Sequence, residues 1–511
     1  MSIIALTRIT IETTSPLSVY SGDRSILSND ALSRDWNGLP YIPATSLTGV
    51  WRSILETDSG SSDVDYWFGV SKSRDDSERM ASRIIISDAR MLNCRSMLPN
   101  DGEGSGVLLS ETYIHGDRLL AKFTEEHDKD FERMNCRING RKTALNKALH
   151  KTMTLPRGIR FFFNIKAELD SEEDIAKYHR LLKTLSSSGF ALGSKTSIGH
   201  GRFKIIGLSS ENIDLADYRK NTAEFTKKIT EFTGSCSVPL TIPKEMQPDS
   251  DAESLYITPD GWNFEISAKG SWRAGTGRRS ASKAKTARGS RAGLLAGETV
   301  DDNTEKVDDN IQRCFTDGYV KWVDNEFDAI DYEILVPGST VKGVIAHRTL
   351  YHYLRLKRLY AGCNTEGAST AEEIVDNLLN NQTSPEILEE YCQVFGRNDP
   401  QNPDRILAGS LRIGDCKVDC SGIISRMHNK IDRFTGGVIP SALFSQEKLI
   451  NPIIKINLQI RKDRFEKIKN SDILEALKRT IYDLKHGYLN ICAGSGRDTA
   501  IFTEKSQEEH K

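Results

Sequence analysis

The sequence predicts an α+β protein built from two consecutive copies of one domain. Three observations carry this expectation. A set of motifs recurs in the same order in both halves, and each half runs from an opening strand through two amphipathic helices to a glycine-rich end. A proline cluster, Pro239, Pro243 and Pro248, marks the junction between them. Length alone, 511 residues, suggests about three domains of ~150 residues. The repeat replaces that with a first domain at 1–235, a linker at 236–254 and a second domain at 255–505.

The first recurring block is Tyr41–Arg52 (YIPATSLTGVWR), which returns as Leu335–Arg348 (LVPGSTVKGVIAHR), with Pro43 on Pro337 and Gly49 on Gly343. Trp67-Phe68-Gly69 then matches Val394-Phe395-Gly396, and Ile84–Ala89 matches Leu411–Cys416. A fourth block pairs Arg137–Gly140 with Lys430–Arg433. The apolar strands Phe161–Ile165 and Ile454–Leu458 follow these blocks.

In the first copy Ile9, Ile11 and Thr13 alternate with polar neighbours, as a half-buried strand does. Leu47, Val50, Trp51, Ile54 and Leu55 fall on one helical face. A second helix is expected over 172–188 and a closing strand over 202–208. The second copy repeats this with a strand at 264–267 and helices at 340–360 and 473–485. Between the opening strand and the first helix each copy is read as a long loop. Elements in this order suggest helices packed on one face of a mainly antiparallel sheet.

Composition narrows the function classes. Lys and Arg total 69 against 71 Asp and Glu, a formal charge of −2, so attraction to a polyanion has to be local. No apolar run reaches the ~18–20 residues of a membrane span, and the start of the chain lacks the pattern of a signal peptide. Nine cysteines, an odd number, scattered except for Cys416 and Cys420, fit reduced thiols and a cytoplasmic location. CxxC, HExxH and Walker A patterns are absent from the sequence. Cys416, Cys420 and His428 lack a fourth ligand at zinc spacing.

Local cations do occur. Pro43–Ser46 turns directly into a helix, where Ser46 is placed to cap the exposed amides and a helix N-terminus favours phosphate. Ser339 and Lys342 hold the matching places in the second copy, and Arg52 and Arg348 close the two motifs. An ordinary capped helix is the simpler reading of each. The segment Gly193–Arg202 combines glycines with Lys195, His200 and Arg202. Residues 269–291 carry eight cations and no acid, among them Arg278, Arg279, Lys283 and Lys285, spaced by small residues. Such a stretch either stays a solvated loop or orders on RNA. Acids at Glu298, Asp301, Asp302 and Glu305 follow it.

These motifs together resemble the RAMP superfamily, the RNA-binding subunits of CRISPR effector complexes. The carriers are the loop-to-helix motifs at Pro43 and Pro337, the following Phe-Gly pairs, the strands with Asp88 and Asp415, and the glycine-rich ends. The likeness is greatest to the backbone subunits of type III complexes, and a fused double copy resembles the tandem backbone subunit of type III-D systems. Ala44 and Thr48 stand where that family usually has Gly and Lys.

The resemblance implies two ferredoxin-like (RRM-like) domains, each with a palm, a thumb hairpin and a glycine-rich loop. It implies a guide RNA, a target single-stranded RNA, other RAMP subunits and a large signalling subunit as partners, and no membrane. It places the thumbs at 142–157, with Lys147 and Lys151 as RNA contacts, and at 433–448, with Arg433. It also implies a cleaving aspartate in the loop before the helix motif, Asp30 in the first copy and Asp324 in the second. A carboxylate at Asp30 would hold Mg2+ or another divalent cation, or act directly as the ribose 2′-OH attacks. A non-catalytic scaffold that only spaces the RNA is the alternative, and a guide-processing ribonuclease a weaker third reading. Asp88 and Asp415 are read as structural.

Overall fold

The computed structural model describes residues 3–22, 31–58, 61–70, 80–100, 108–138, 144–187, 190–215, parts of 222–232, 236–247, 255–275, 311–358, 385–396, 407–440, 442–491 and 500–505. The first copy contains β1 (Ile3–Thr13), β2 (Tyr41–Ile42), α1 (Ala44–Asp58), α2 (Ser61–Phe68), β3 (Ile84–Ile86) and β4 (Ala89–Met91). It continues with α3 (Glu111–Gly116), β5 (Glu132–Ile138), β6 (Ala144–Met153), β7 (Arg160–Leu169), α4 (Glu172–Ser187) and β8 (Phe203–Asp214).

The second copy has β9 (Tyr256–Ile257), β10 (Asn263–Ala268), β11 (Ser271–Trp272), β12 (Ile311–Gln312), β13 (Thr316–Val323), β14 (Glu326–Val336) and α5 (Gly338–Leu356). After these come α6 (Pro385–Phe395), β15 (Leu411–Ile413), β16 (Cys416–Asp419), β17 (Gly422–His428), β18 (Phe444–Ile450), β19 (Ile453–Arg461), α7 (Lys462–Ile468), α8 (Asp472–Lys485) and β20 (Phe502–Glu504).

Both copies arrange these elements alike. The first sheet runs β4-β7-β1-β8 with β2 outside β4, and the second runs β16-β19-β10-β20 with β14 outside β16. In each, the opening strand sits between the strand after the inserted hairpin and the closing strand, and these pairings are antiparallel. β1 buries its odd-numbered residues from Ile3 to Thr13 against the helices. That alternation is the one expected of a half-buried strand.

Two cores follow. Trp51 is fully buried on α1, with its ring edge-on to Phe163 at 5.5 Å and to Phe190 at 6.1 Å. In the second copy Val341, Ile345 and Tyr353 of α5 and Leu477 and Leu484 of α8 cover Ile454, Ile456 and Leu458 of β19. Thr349 and Thr480 hydroxyls meet at 3.0 Å between the two helices.

The hairpins inserted between β4 and β7, and between β16 and β19, stand at matching places. β5 and β6 pair only with each other, whereas β18 also gathers β11 and β12.

One expectation changes. The stretch before α5, read as a loop, holds the β13–β14 hairpin. Its strands pair antiparallel, and Asp324 and Asn325 turn it with φ of 49° and 65°, the left-handed pair that a two-residue hairpin turn needs. The described part of the linker, 236–247, docks on the first copy. Leu208 donates to the Thr241 carbonyl at 3.0 Å, and Arg8 donates to the Ser237 carbonyl at 2.6 Å.

The β13–β14 hairpin lies across the first copy. Val320 N–H donates to the Arg157 carbonyl at 2.8 Å, and Phe327 N–H to the Cys94 carbonyl at 2.7 Å. Trp322 Nε1–H donates to the Gly158 carbonyl at 2.7 Å. Val320 and Phe327 are buried in the first copy's core. Gly158 is required here, because its φ is +90° and a Cβ would run into the Val320 carbonyl.

Candidate nucleic-acid interface

The helix-entry motifs fold as the prolines dictate, but a different residue caps them. Each helix starts one residue after its proline, at Ala44 and at Gly338. Ser46 therefore sits inside the first turn, and the link between two later strands, β3 and β4 or β15 and β16, supplies the cap. Asp88 Oδ1 accepts the Ala44 N–H at 2.7 Å, and Asp415 Oδ1 accepts the Gly338 N–H at 2.9 Å. The expectation that Ser46 caps α1 is corrected accordingly. A carboxylate already at the positive end of each helix repels a phosphate at the same amide.

In the second copy that end is also closed by the first. Arg133 of β5 donates from Nη1 to Asp415 Oδ2 at 2.8 Å and from Nη2 to Asp317 Oδ2 at 2.5 Å. Its guanidinium lies 5.3 Å from the Phe315 ring centre, and its side chain is 8% exposed. Burial and the Asp415 carboxylate pull Asp317 up, while Arg133 holds Asp415 below the usual carboxylate range despite its burial. The cleft left between His200, Ser339 and Asp415 measures about 10 Å³, room for about one water.

His200 belongs to this seam. It is 2% exposed, its Nε2 lies 3.3 Å from Arg133 Nη1, and its Nδ1 is buried without a partner. Burial and the Arg133 charge push its pKa down to about 3, so the ring is neutral at ordinary pH. The placement of His200 as a donor on an exposed glycine loop is thus corrected. Glycine frees the backbone, and here it is used to let two copies touch. A Cβ on Gly199 would strike the Gly414 α-carbon.

The other expected contacts scatter. Lys342 is largely buried; Nζ donates to the Leu411 carbonyl at 3.3 Å, and burial pushes its pKa down to about 8. Arg348 donates to Asp483 Oδ2 at 2.6 Å, as one half of an α5–α8 clamp with His352. Arg52 lies 3.8 Å from Asp65. Lys151 pairs with Glu132 at 3.2 Å, and Lys147 lies on β6 with its side chain outside the described atoms.

Lys195 takes a left-handed φ of 62° and donates from Nζ to Thr152 Oγ1 at 2.6 Å, tying the glycine loop to the β5–β6 hairpin. Arg433 is exposed in the turn of the β17–β18 hairpin, next to Phe434, which is 99% exposed. Asp30, Arg278, Arg279, Lys283 and Lys285 lie outside the described residues.

Asp324 occupies the β13–β14 turn, docked on the first copy. Ser96 donates to the neighbouring Asn325 carbonyl at 2.6 Å, and Arg160 donates to the Asn325 side chain at 3.0 Å. This corrects its expected position in a free loop. With Arg118, Glu326 and Asp328 it lines an open cleft of about 380 Å³. Among the described residues no three His, Cys, Asp or Glu side chains group so as to hold a metal. No described helix is long and apolar enough to cross a membrane.

Sequence reasoning missed Arg133, Asp317 and Arg412, which join the copies. Arg133 and Asp317 lie in no recurring motif, Arg412 sits unmarked inside the block Leu411–Cys416, and only their meeting in space gives them a role.

Two α+β domains with one strand order, each with a capped helix entry and an inserted hairpin, define a tandem of one domain type. The RAMP superfamily model matches residues 10–204 and 265–497, so the chain belongs to the RAMP superfamily. No curated protein matches it. Among solved structures it is similar to a chain of the cryo-EM structure of the Type III-B Cmr-beta bound to cognate target RNA, at 16% identity and a TM-score of 0.28. That match covers 40% of this chain and 60% of the other.

Proposed function

We propose that this chain is a guide-RNA-binding backbone subunit of a type III CRISPR effector complex, working as two consecutive units. The observation that carries the reading is the RAMP match found twice in one chain, over domains with the same strand order. Strand, helix, two strands, helix, strand is the ferredoxin-like order, and the β5–β6 and β17–β18 hairpins are the thumbs. On this reading the units fall at 1–235 and 255–505. Other RAMP subunits, a large signalling subunit and target RNA complete the assembly.

Cleavage is assigned to the first copy. Asp30 precedes the Pro43 motif in a polar stretch of sequence and would bind Mg2+ or another divalent cation. The second copy is assigned a spacing role, because Asp324 is fixed on a docked hairpin turn and the helix entry behind it is closed. Arg433, Lys151 and Lys195 border the hairpins and are the described cations we assign to the RNA backbone.

RNA affinity is expected to fall steeply with salt, with a slope of about −0.7 per phosphate contact on single-stranded RNA. Filter binding of a guide-length RNA from about 50 to about 500 mM KCl measures it. Affinity that does not change with salt rules the reading out.

The basic segment carries a further expectation. Replacing Arg278, Arg279, Lys283 and Lys285 with Ala weakens RNA capture about tenfold or more, because every phosphate left without its cation weakens a steep electrostatic attraction. The melting temperature stays unchanged, because a stretch almost without apolar residues adds little to a core. Equal RNA affinity in the quadruple variant leaves a solvated linker.

A further inference from the structure

Arg202 and Arg412, like Lys342, have no acid among the described residues to answer them. Arg412 is the central residue of β15, and its neighbours Leu411 and Ile413 are buried in the core. Its side chain therefore leaves the opposite face of the sheet. It is 5% exposed, its guanidinium lies 3.6 Å from the Tyr256 ring centre, and its Nε is closed off without a partner. Arg202, just before β8, is partly buried, and its Nε is likewise closed off and unpartnered. Among the described residues no carboxylate bonds to either. Arg133, equally buried, has two.

The seam brings the pair together. The turn Thr196–Ile198 of the first copy lies on β15, Gly199 abuts Gly414, and a Cβ on Gly338 would lie 2.8 Å from the Ile198 carbonyl oxygen. Arg202 of the first copy thereby comes within electrostatic reach of Arg412 of the second. Burial and the Arg412 charge push Arg202 down to about 10, and burial lowers Arg412. Burying a cation without a counter-ion is costly, and a second cation beside it adds to the cost. Two guanidinium forks within reach of each other can share a tetrahedral oxyanion, which each can grip with two N–H groups.

We propose that Arg202 and Arg412 form an anion site shared by the two copies, built for a phosphoryl group such as a phosphodiester of single-stranded RNA crossing the seam. The proposal rests on the RNA-binding reading above and adds to it a named contact at the junction. Neither copy makes the site alone, which gives the fusion of two copies a purpose in RNA binding. Tyr256, stacked on Arg412, holds that guanidinium in its plane.

The test uses the full chain and the variants Arg412→Gln and Arg202→Gln, with a single-stranded RNA in one arm and inorganic phosphate in the other. For RNA, each variant is expected to lose about tenfold in affinity and about 0.7 in the salt slope. In phosphate at fixed ionic strength, the wild type is expected to gain several degrees in Tm over chloride, a gain that Arg412→Gln abolishes. The RNA-free Tm of Arg412→Gln in chloride is expected to equal or exceed that of the wild type, because repulsion is relieved. A phosphate effect abolished in the variant with RNA affinity intact supports the anion site and assigns it to free phosphate. Lower Tm in chloride, with RNA affinity and the phosphate effect intact, overturns the proposal and makes Arg412 a packing residue. Wild-type chain that fails to bind RNA refutes the functional reading instead, and the phosphate arm still decides the site.

Discussion

Asp30→Ala is expected to remove one cut from the ladder made when the assembled complex meets its target RNA, leaving the other cuts in place. A carboxylate that binds a metal or accepts the 2′-OH proton contributes about 10²–10⁴-fold to the rate. At that size the band vanishes rather than fades. RNA capture survives, because binding draws on many phosphate contacts and cleavage on one group. A chelator suppresses the same band, and added Mg2+ restores it, if a divalent cation takes part. Asp324→Ala is the matched control. Asp324 sits in a two-residue hairpin turn beside Asn325, which Ser96 and Arg160 hold to the first copy, and its removal is expected to leave every band. End-labelled target on a denaturing gel reads both variants. An Asp30→Ala complex that cuts at every position turns the first copy into a scaffold, and a band missing in Asp324→Ala returns cleavage to the second.

Much of the fold was legible because one design is written twice. The match of Pro43 to Pro337 and of Asp88 to Asp415 aligns two helix entries and two following strands, and the structure places all four residues as counterparts. What the alignment lacked was the reason. A serine next to a helix start suggests a cap from the same segment, whereas the working cap comes from a link between strands, 44 residues on in the first copy and 77 in the second.

The hairpin before α5 was also written in the sequence, in alternating runs either side of Asp324-Asn325. The seam was not legible at all. Arg133 lies 184 residues from Asp317 and 282 from Asp415, and neither period nor motif links such partners. His200 misled for a related reason. A glycine-rich stretch indicates where backbone comes close to something, and it is silent on whether that something is a ligand or the other half of the same chain.

Arg133→Met is the variant expected to cost the fold most. It leaves Asp415 and Asp317 in the seam with like charges and no cation between them. Removing one partner of a buried ion cluster typically costs about 3–5 kcal/mol. The lower end applies here, because Asp415 keeps its bond from the Gly338 N–H and the favourable end of α5. The pH dependence identifies the cause. In the wild type Asp415 is held below the usual carboxylate range, so its contribution is present above its unfolded pKa and is lost as pH falls through the folded value. Without Arg133, burial raises the same carboxyl above its unfolded pKa, and its contribution then runs the other way, present at low pH and lost as pH rises. The gap between wild type and Arg133→Met in urea or thermal unfolding is therefore widest near pH 7 and narrows toward about pH 4. Adding Asp317→Asn to Arg133→Met removes one of the stranded charges and recovers part of the loss, a coupling that a double-mutant cycle reads directly. A deficit under about 1 kcal/mol at pH 7, or one that stays constant on acidification, shows that the two copies are held by the β13–β14 hairpin alone and that the Arg133 cluster only fills space between them.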